Sequence, residues 1–390
     1  MRLFRLLAMF LLFFTIFSGQ NSYASGDNHG HDGDKKLDIG EMIMHHIADA
    51  NEWHLLGDIS IPLPCIVYHP EKGFDFFLSS VFHHGHNSYK GYVLDQGVLK
   101  YVNDASFPQE SVEVSVLGHK VLPKEIVESF ATGEEMAESY VLYNNKAYEA
   151  DRTSFYDFSI TKVVATMLLA SLIMMLLFTY IAKSYKKNQR APKGFQNLIE
   201  VLVTFVRDEI AKPGVGDKWE KYFPFLLTLF FFIWICNMLG LMSPIGSPNA
   251  TGNLMVTGAL ALITFIIIVT SANKHYWSHI FNPPGVPGWV KIILVPIEVA
   301  SMFIKPAALM IRLFANMTAG HIIILSLVGI IFLIANLGGD AAGWGTSILA
   351  SAFMLFMNVL ELFVAALQAY VFAILASVFI GQAVAEPHHH

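Results

Sequence analysis

Long apolar segments dominate the C-terminal part of the chain. Short polar interruptions divide them into five, at 158–182, 222–242, 254–272, 289–337 and 346–385. A helix of about 20 apolar residues spans a bilayer, so each segment is long enough to cross. The last two exceed one perpendicular crossing and are expected to tilt steeply. The pattern predicts an all-α polytopic membrane protein with about five membrane-embedded helices.

The N-terminus has the layout of a secretory signal peptide. Arg2 and Arg5 precede an apolar run at 6–17, and Ser22-Tyr-Ala24 supplies a small-x-small cleavage site. The run is shorter than a membrane span, so we expect removal of residues 1–24 rather than a retained first crossing. The polar, glycine-rich residues 25–36 predict a disordered leader without the fixed geometry that a metal site needs.

Residues 37–155 predict a small β-rich module on the exported side of the membrane. A short helix is expected at 39–50. Apolar or alternating runs broken by turn residues predict strands at 59–68, 74–78, 91–94, 98–102 and 111–116. His83, His84 and His86 share one loop without a fourth ligand, so we interpret them as solvated surface and predict no metal site.

Positive residues in the short loops predict the orientation of the spans. Cations gather at 183–193 and recur at Lys274, whereas 243–253 and 338–345 contain no Lys or Arg. Short cytoplasmic loops carry the excess of Lys and Arg, so five crossings that start outside end inside. The mixed apolar and charged residues 195–210 predict one amphipathic helix at the cytoplasmic interface or against a partner helix.

The composition agrees with a membrane protein and argues against a nucleic-acid partner. The 390 residues are 54% hydrophobic and 14% charged, with a net charge of −6. The mean hydropathy is +0.49. Soluble domains are usually about a quarter charged. The two cysteines, Cys65 and Cys236, predict no disulfide framework, and nothing in the chain calls for a cofactor.

Arg312 is the residue that most needs an explanation, because it lies within the apolar stretch 307–321. A guanidinium at the centre of a membrane helix costs about 2.5 to 3.5 kcal/mol on insertion scales. It does not lose its proton in proteins. Such a residue is by default a functional-site candidate.

Other polar residues in the last two spans fall at helical spacing. Glu298, Lys305 and Arg312 are each seven apart, so they are predicted to share one stripe of the helix, with Asn316 beside Arg312. His321 faces roughly the opposite way. Asn358, Glu361 and Gln368 share a face of the last helix. Pro306 is expected to kink or locally open its helix.

Two interpretations of this set remain open from the residues alone. In the first, these are interhelical hydrogen-bond partners, with Arg312 neutralised by Glu361 or Glu298. In the second, titratable groups spread along the depth of two spans relay protons through hydrocarbon. The second accounts better for a histidine, two carboxylates and a lone arginine together.

The chain closely resembles subunit a of the rotary F-type ATP synthases over about residues 158–385. The resemblance rests on Arg312-Leu-Phe-Ala-Asn-Met-Thr-Ala-Gly320, on Glu298 fourteen positions before the arginine, and on Glu361 seven before Gln368. It extends to Pro192-Lys-Gly-Phe-Gln-Asn-Leu-Ile-Glu200 and to the aromatic-rich segment 222–240, which ends in Asn237-Met-Leu-Gly240.

The resemblance implies a role for each polar residue. Arg312 would face the ring of c subunits and meet its carboxylates. His321 and Glu361 would line the outer half-channel, Glu298 would belong to the cytoplasmic half-channel, and Asn316 and Gln368 would lie near the arginine. Well-known members carry Glu at the His321 position and His at the Glu361 position, so this chain has exchanged the pair and retained both chemistries.

The resemblance also implies partners and a location. The partners are the c-ring, the b subunits of the peripheral stalk and the lipid membrane. The location is the bacterial inner membrane, with the N-terminal module periplasmic and the C-terminus cytoplasmic. The membrane domain would occupy 156–386, followed by a tail at 387–390. The chain itself would not be catalytic. The alternatives are a secondary transporter or channel with an anion site at Arg312, and a non-conducting membrane anchor.

Overall fold

The computed structural model describes residues 48–56, 59–118, 139–144, 146–187, 194–241, 249–283 and 287–385. The predicted signal peptide, leader and C-terminal tail lie outside these residues, as does the predicted helix at 39–50 except for its last three residues, which are not helical. The chain divides into two compact units, with the boundary between Thr166 and Met167.

The described residues of the first unit contain ten short strands in three antiparallel sheets. Strands β1 and β2 form a hairpin, β10, β3 and β4 form a three-stranded sheet in that order, and the order β5-β6-β9-β8-β7 forms the largest sheet. The strands are β1 Glu52–Leu56, β2 Ile59–Pro62, β3 Pro64–His69, β4 Gly73–Leu78, β5 Tyr92–Asp95, β6 Val98–Val102, β7 Ser115–Gly118, β8 Ser139–Tyr143, β9 Lys146–Asp151 and β10 Tyr156–Asp157.

Side-chain alternation separates the two faces of the three-stranded sheet. Cys65, Val67 and Phe77 are buried in an aromatic-rich core on one face. Their neighbours Phe74 and Phe76 project from the opposite face and are exposed. Successive side chains of a strand point to opposite faces, so the register Cys65↔Phe77 places both residues on the core side.

Several strand predictions need correction. The predicted strand 59–68 is interrupted at Leu63, and of the predicted strand 111–116 only the last two residues enter β7. Four strands, β1, β8, β9 and β10, were not predicted from the sequence. Strands β8 and β9 are joined by a tight turn in which Asn144 has a φ of +48°, a left-handed conformation that Asn tolerates.

The second unit is helical, and α1 enters it from the first. The helices are α1 Lys162–Lys187, α2 Phe195–Phe205, α3 Lys212–Val215, α4 Trp219–Leu241, α5 Leu254–Ser271, α6 Lys274–Phe281, α7 Gly288–Gly338 and α8 Asp340–Val384, with a π-helical stretch at Val206–Ala211 between α2 and α3. Five helical stretches of the described chain are long and apolar enough to cross a membrane, at 162–185, 195–241, 254–271, 288–338 and 341–384.

Helix α7 agrees with the predicted segment 289–337, whereas α8 begins earlier than the sequence suggests, because only one residue separates the two helices. Gly339 has a φ of +79° and reverses the chain, so the predicted loop 338–345 is wrong and most of it belongs to α8. Glycine adopts this conformation at no steric cost, and the alanines that follow favour helix. Helix α7 continues through Pro296 and Pro306.

The C-terminal half of α8 packs against the π-helical stretch and α3. Ser377 donates its hydroxyl to the Ile210 carbonyl at 3.0 Å. A Cβ added to Gly381 would lie 3.1 Å from the Gly214 carbonyl carbon, so the two backbones touch where neither residue has a side chain. Small residues allow membrane helices this close approach.

Candidate functional site

Arg312 lies on the outer surface of α7. It is exposed, as is Asn316 one turn later, whereas Leu313 and Met317 face inward and are buried. Among the described residues, none forms a hydrogen bond or ion pair with the Arg312 guanidinium. The interpretation in which Glu361 or Glu298 neutralises the arginine is therefore wrong for this structure.

Glu361 on α8 has the opposite environment. Its side chain is 3% exposed, and neither carboxylate oxygen has a hydrogen-bond partner within the described chain. The carboxylate packs on α7 at Gly320, where an added Cβ would lie 2.5 Å from Glu361 Oε1 and 2.8 Å from its carboxyl carbon. A side chain at this position would require the carboxylate to move from its place at the crossing.

His321 follows Gly320 directly in α7. The Nε2 atom of His321 is also buried without a partner among the described residues. Buried polar atoms are nearly always hydrogen-bonded, and exceptions call for an explanation such as a functional role or solvent. Three such atoms belong to the acid and the imidazole that the sequence singles out.

An amide that the sequence analysis gave no role supports this region. Asn237 of α4 is fully buried and donates to the Ala365 carbonyl at 3.0 Å, on the turn of α8 between Glu361 and the buried Gln368. The Thr251 hydroxyl donates to Asn237 Oδ1 at 2.6 Å. The sequence feature that could have identified Asn237 is its position as a polar residue inside an apolar span.

The turn that leads into α5 lies beside the same part of α7. Asn249 Oδ1 accepts the Gly252 backbone N–H at 2.7 Å. The Thr318 hydroxyl donates to the Gly252 carbonyl at 3.4 Å. Thr318 lies between Asn316 and His321 in α7, so this turn adds polar groups close to the predicted outer path.

A second set of polar residues, which includes Glu298, lies toward the other end of α7. Burial and, to a smaller extent, the negative charge of Glu298 raise the pKa of Tyr276 in α6, so the phenol lies within electrostatic reach of this carboxylate. Lys305 donates to Gln382 Oε1 at 3.1 Å and lies 5.3 Å above the Phe379 ring of α8. Tyr276 and Gln382 were not identified from the sequence.

The predicted stripe of Glu298, Lys305 and Arg312 meets different surroundings along α7. Lys305 contacts α8, whereas Arg312 is exposed on the surface of the chain. A heptad spacing drifts by about 20° per repeat on a straight helix, which separates positions that a simple count places together. In the described part of the chain, no three His, Cys, Asp or Glu residues are grouped so as to hold a metal ion.

Comparison with known protein families identifies the class of protein to which the chain belongs. The family model for the ATP synthase A chain matches residues 164–381, more than half of the chain. A separate model for a domain of unknown function, DUF8433, matches residues 42–122.

Individual relatives agree with the family match. The ATP synthase subunit a of Chloroherpeton thalassium is 43% identical over 241 residues, which cover 60% of this chain and 69% of the relative. The subunit a of Chlorobium phaeobacteroides is 44% identical, with 60% and 68% covered. That of Myxococcus xanthus is 46% identical, with 60% and 76% covered.

The chain is therefore a multi-pass membrane protein of the ATP synthase A chain family. It is a proton-translocating stator subunit of an F-type ATP synthase, works beside the c-ring and is not catalytic by itself. The anion transporter and the non-conducting anchor are thereby excluded.

Proposed function

We propose that this chain forms two offset half-channels that meet at Arg312, which faces the c-ring carboxylate. The observation that carries the proposal is the arginine itself: it is exposed on α7 and has no partner among the described residues. A permanently charged group in an apolar span requires compensation, and a carboxylate on an adjoining subunit supplies it.

The charge of Arg312 separates the two half-channels and drives proton release. A protonated ring carboxyl is neutral and tolerates contact with lipid. When the ring brings it to Arg312, the nearby cation favours the ionised form and the proton leaves. A continuous aqueous path would leak protons, and the fixed positive charge between the two half-channels prevents this leak. Asn316, on the same exposed side, and the buried Gln368 flank the arginine.

His321 and Glu361 form the outer half-channel in this proposal. Three buried atoms on these residues have no protein partner in the described chain, namely both Glu361 oxygens and His321 Nε2. A path that delivers protons offers such atoms hydrogen bonds from solvent. Carboxyl and imidazole groups exchange protons readily, so the order of the two residues along the helices can be reversed without loss of the chemistry.

Glu298 forms the cytoplasmic half-channel, together with two groups that the fold adds. Tyr276 lies near the carboxylate, and the Lys305–Gln382 hydrogen bond joins α7 to α8 in the same region. Tyr276 offers a hydroxyl that donates and accepts a hydrogen bond.

The remaining predictions concern location and assembly. We propose that residues 1–24 are removed as a signal peptide and that the module 37–155 is periplasmic, preceded by the leader 25–36. The membrane domain 156–386 ends with a cytoplasmic C-terminus in the bacterial inner membrane. The b subunits of the peripheral stalk complete the set of partners. The distribution of Lys and Arg among the short loops supports this orientation.

Side-specific labelling tests the two half-channels. In the assembled complex, with Cys65→Ala and Cys236→Ala as background, His321→Cys and Glu298→Cys are treated with a charged, membrane-impermeant maleimide from either face. We expect labelling of His321→Cys only from the outer face and of Glu298→Cys only from the cytoplasmic face.

The labelling has an internal control and a clear negative outcome. Ser377→Cys occupies a fully buried position packed against Ile210 and should remain unlabelled from both faces. Labelling of both path positions from the same face would contradict two offset half-channels. The readout is chemical, so it remains valid even if a variant no longer transports protons.

A further inference from the structure

The three-stranded sheet of the N-terminal unit has an exposed apolar side, which we call the aromatic face. It comprises Tyr68, Phe74, Phe76, Leu78, Tyr156 and Phe158. The strand register explains the grouping: Tyr68 pairs with Phe74 and with Tyr156, so the three side chains project from the same side. None of the six residues carries a charge.

The aromatic face is not part of the core of its unit. Phe74 is 74% exposed, Phe76 70%, Tyr156 62% and Phe158 61%. The opposite side of the same strands packs into the core through Cys65, Val67 and Phe77. Contiguous exposed apolar patches of this kind mark sites of protein or membrane contact, because leaving them in water is unfavourable.

The backbone joins this sheet rigidly to the start of α1. Pairing with β3 continues past β10, since Phe158 N–H donates to the Ile66 carbonyl at 2.8 Å and Ile160 N–H donates to the Pro64 carbonyl at 3.0 Å. Lys162 then donates its backbone N–H to the Ala50 carbonyl at 2.8 Å. The sheet and the first turn of α1 belong to one compact unit, with no free linker between them.

Helix α1 is a membrane-spanning candidate that begins at Lys162. We place one boundary of the bilayer at its first turn, because the helix is long and apolar enough to cross. Phe158 lies only four residues before Lys162. The row of the sheet that contains Leu78 and Ile160 is nearest to this boundary, and the row that contains both tyrosines is farther away. Aromatic side chains, tyrosine above all, are enriched where membrane proteins pass through the headgroup layer.

We propose that the aromatic face lies in the headgroup region of the bilayer around α1 and anchors the N-terminal unit to the lipid surface. Leu78 and Phe76 reach the acyl-chain boundary, while the hydroxyls of Tyr68 and Tyr156 remain among the headgroups. Two features favour lipid over another protein: the face is continuous with a membrane helix, and it lacks the charged groups that fix the orientation of a protein partner. The inference does not depend on the proton path.

Spin labelling of the full chain in the assembled complex tests this inference. With Cys65→Ala and Cys236→Ala as background, nitroxides are attached at Leu78→Cys, Phe76→Cys and Phe74→Cys in phosphatidylcholine–phosphatidylglycerol vesicles. Glu149→Cys, an exposed position on β9 of the same unit, is the matched control. Collision rates with oxygen, which enters lipid, and with a water-soluble nickel chelate are measured at each site.

We expect the oxygen-to-nickel collision ratio at Phe76→Cys to exceed that at Glu149→Cys severalfold. The depth of the nitroxide in the bilayer should decrease from Leu78 through Phe76 to Phe74. High collision rates with both reagents, as in free solution, would overturn the proposal. So would protection from both, because that result identifies a protein as the occupant. The substituted side chains are exposed and make few packing contacts, so loss of folding is not expected to obscure the result.

Discussion

Glu361 and Arg312 differ in how each ionisable side chain is surrounded. The carboxylate is 3% exposed and unpartnered within the described chain, whereas the guanidinium is exposed on the surface of α7. An unpaired charge buried in a protein costs several kcal/mol. A group in this position is costly as a structural element and suited to proton exchange, whereas the exposed arginine is suited to a partner outside the chain.

Replacement of the acid tests its part in the outer path. Glu361→Gln retains the size of the side chain but cannot release a proton. We expect passive proton flux through the membrane sector to fall by about a hundredfold, the lower end of what a positioned acid–base group contributes. The assembled complex should form in normal amounts. Flux is measured in vesicles stripped of the ATP-hydrolysing sector.

The control for this replacement is Glu149→Gln, which alters an exposed carboxylate of the N-terminal unit and should leave the flux unchanged. Wild-type flux in Glu361→Gln vesicles would remove this residue from the path.

Gly320 provides a test that changes no titratable group. A methyl group at this position would lie 2.5 Å from Glu361 Oε1, so Gly320→Ala must displace the carboxylate. Overpacking of this kind costs about 1–3 kcal/mol. We expect reduced proton flux with the acid still present. Gly345→Ala is the matched control, because a Cβ at Gly345 has no neighbour within 4 Å. Equal flux in both variants would show that the position of the carboxylate does not matter.

At the scale of elements, the contact between α8 and α3 depends on glycine. A Cβ on Gly381 would approach the Gly214 carbonyl carbon to 3.1 Å and the Val215 Cα to 3.2 Å. Both neighbours are backbone atoms, so they cannot rotate away as a side chain can. We expect Gly381→Ala to lower the thermal midpoint of the solubilised complex, although alanine favours helix more than glycine does.

Gly288→Ala is the comparison for this element. Its Cβ meets nothing within 4 Å, so the midpoint should stay the same or rise. A midpoint for Gly381→Ala equal to that of Gly288→Ala would show that the two backbones are not held together as described.

The membrane helices could be predicted closely from the sequence because their signal is local and strong. Apolar runs of sufficient length specify a span without knowledge of its neighbours. The turn at Gly339 could not, because a glycine followed by alanines fits a loop or a helix start equally well. Strands β8 and β9 were missed for a related reason: short strands of mixed polarity depend on pairing with distant strands.

The residues of the candidate site also fall into those that the sequence reveals and those that only the structure reveals. Arg312 and Glu361 are conspicuous because charges are rare in apolar spans. Asn237 and Gln382 became visible only through contacts with residues 128 and 77 positions away in the chain. The role of Gly320 depends on which residue of α8 crosses it, which no local pattern encodes.

At the scale of the whole molecule, the fixed charge of Arg312 acts on a moving ring in the proposed mechanism. Each elementary charge that crosses 100 mV of membrane potential releases about 2.3 kcal/mol, so several transfers are needed for each ATP and the ring turns in small steps. In the proposed mechanism, an outward-facing arginine between two half-channels enforces a direction on those steps. Backbone hydrogen bonds join the sheet of the N-terminal unit to the start of α1, which is why we propose that its aromatic face contacts the lipid surface.

The most direct test of this account is ATP-driven proton pumping by inverted vesicles that carry Arg312→Ala, with Ile330→Ala, an exposed apolar position farther along α7, as control. We predict that pumping is abolished in Arg312→Ala and also in Arg312→Lys, because a compact ammonium lacks the planar guanidinium. The control should pump normally. Pumping at the wild-type level in Arg312→Ala vesicles would contradict the central claim.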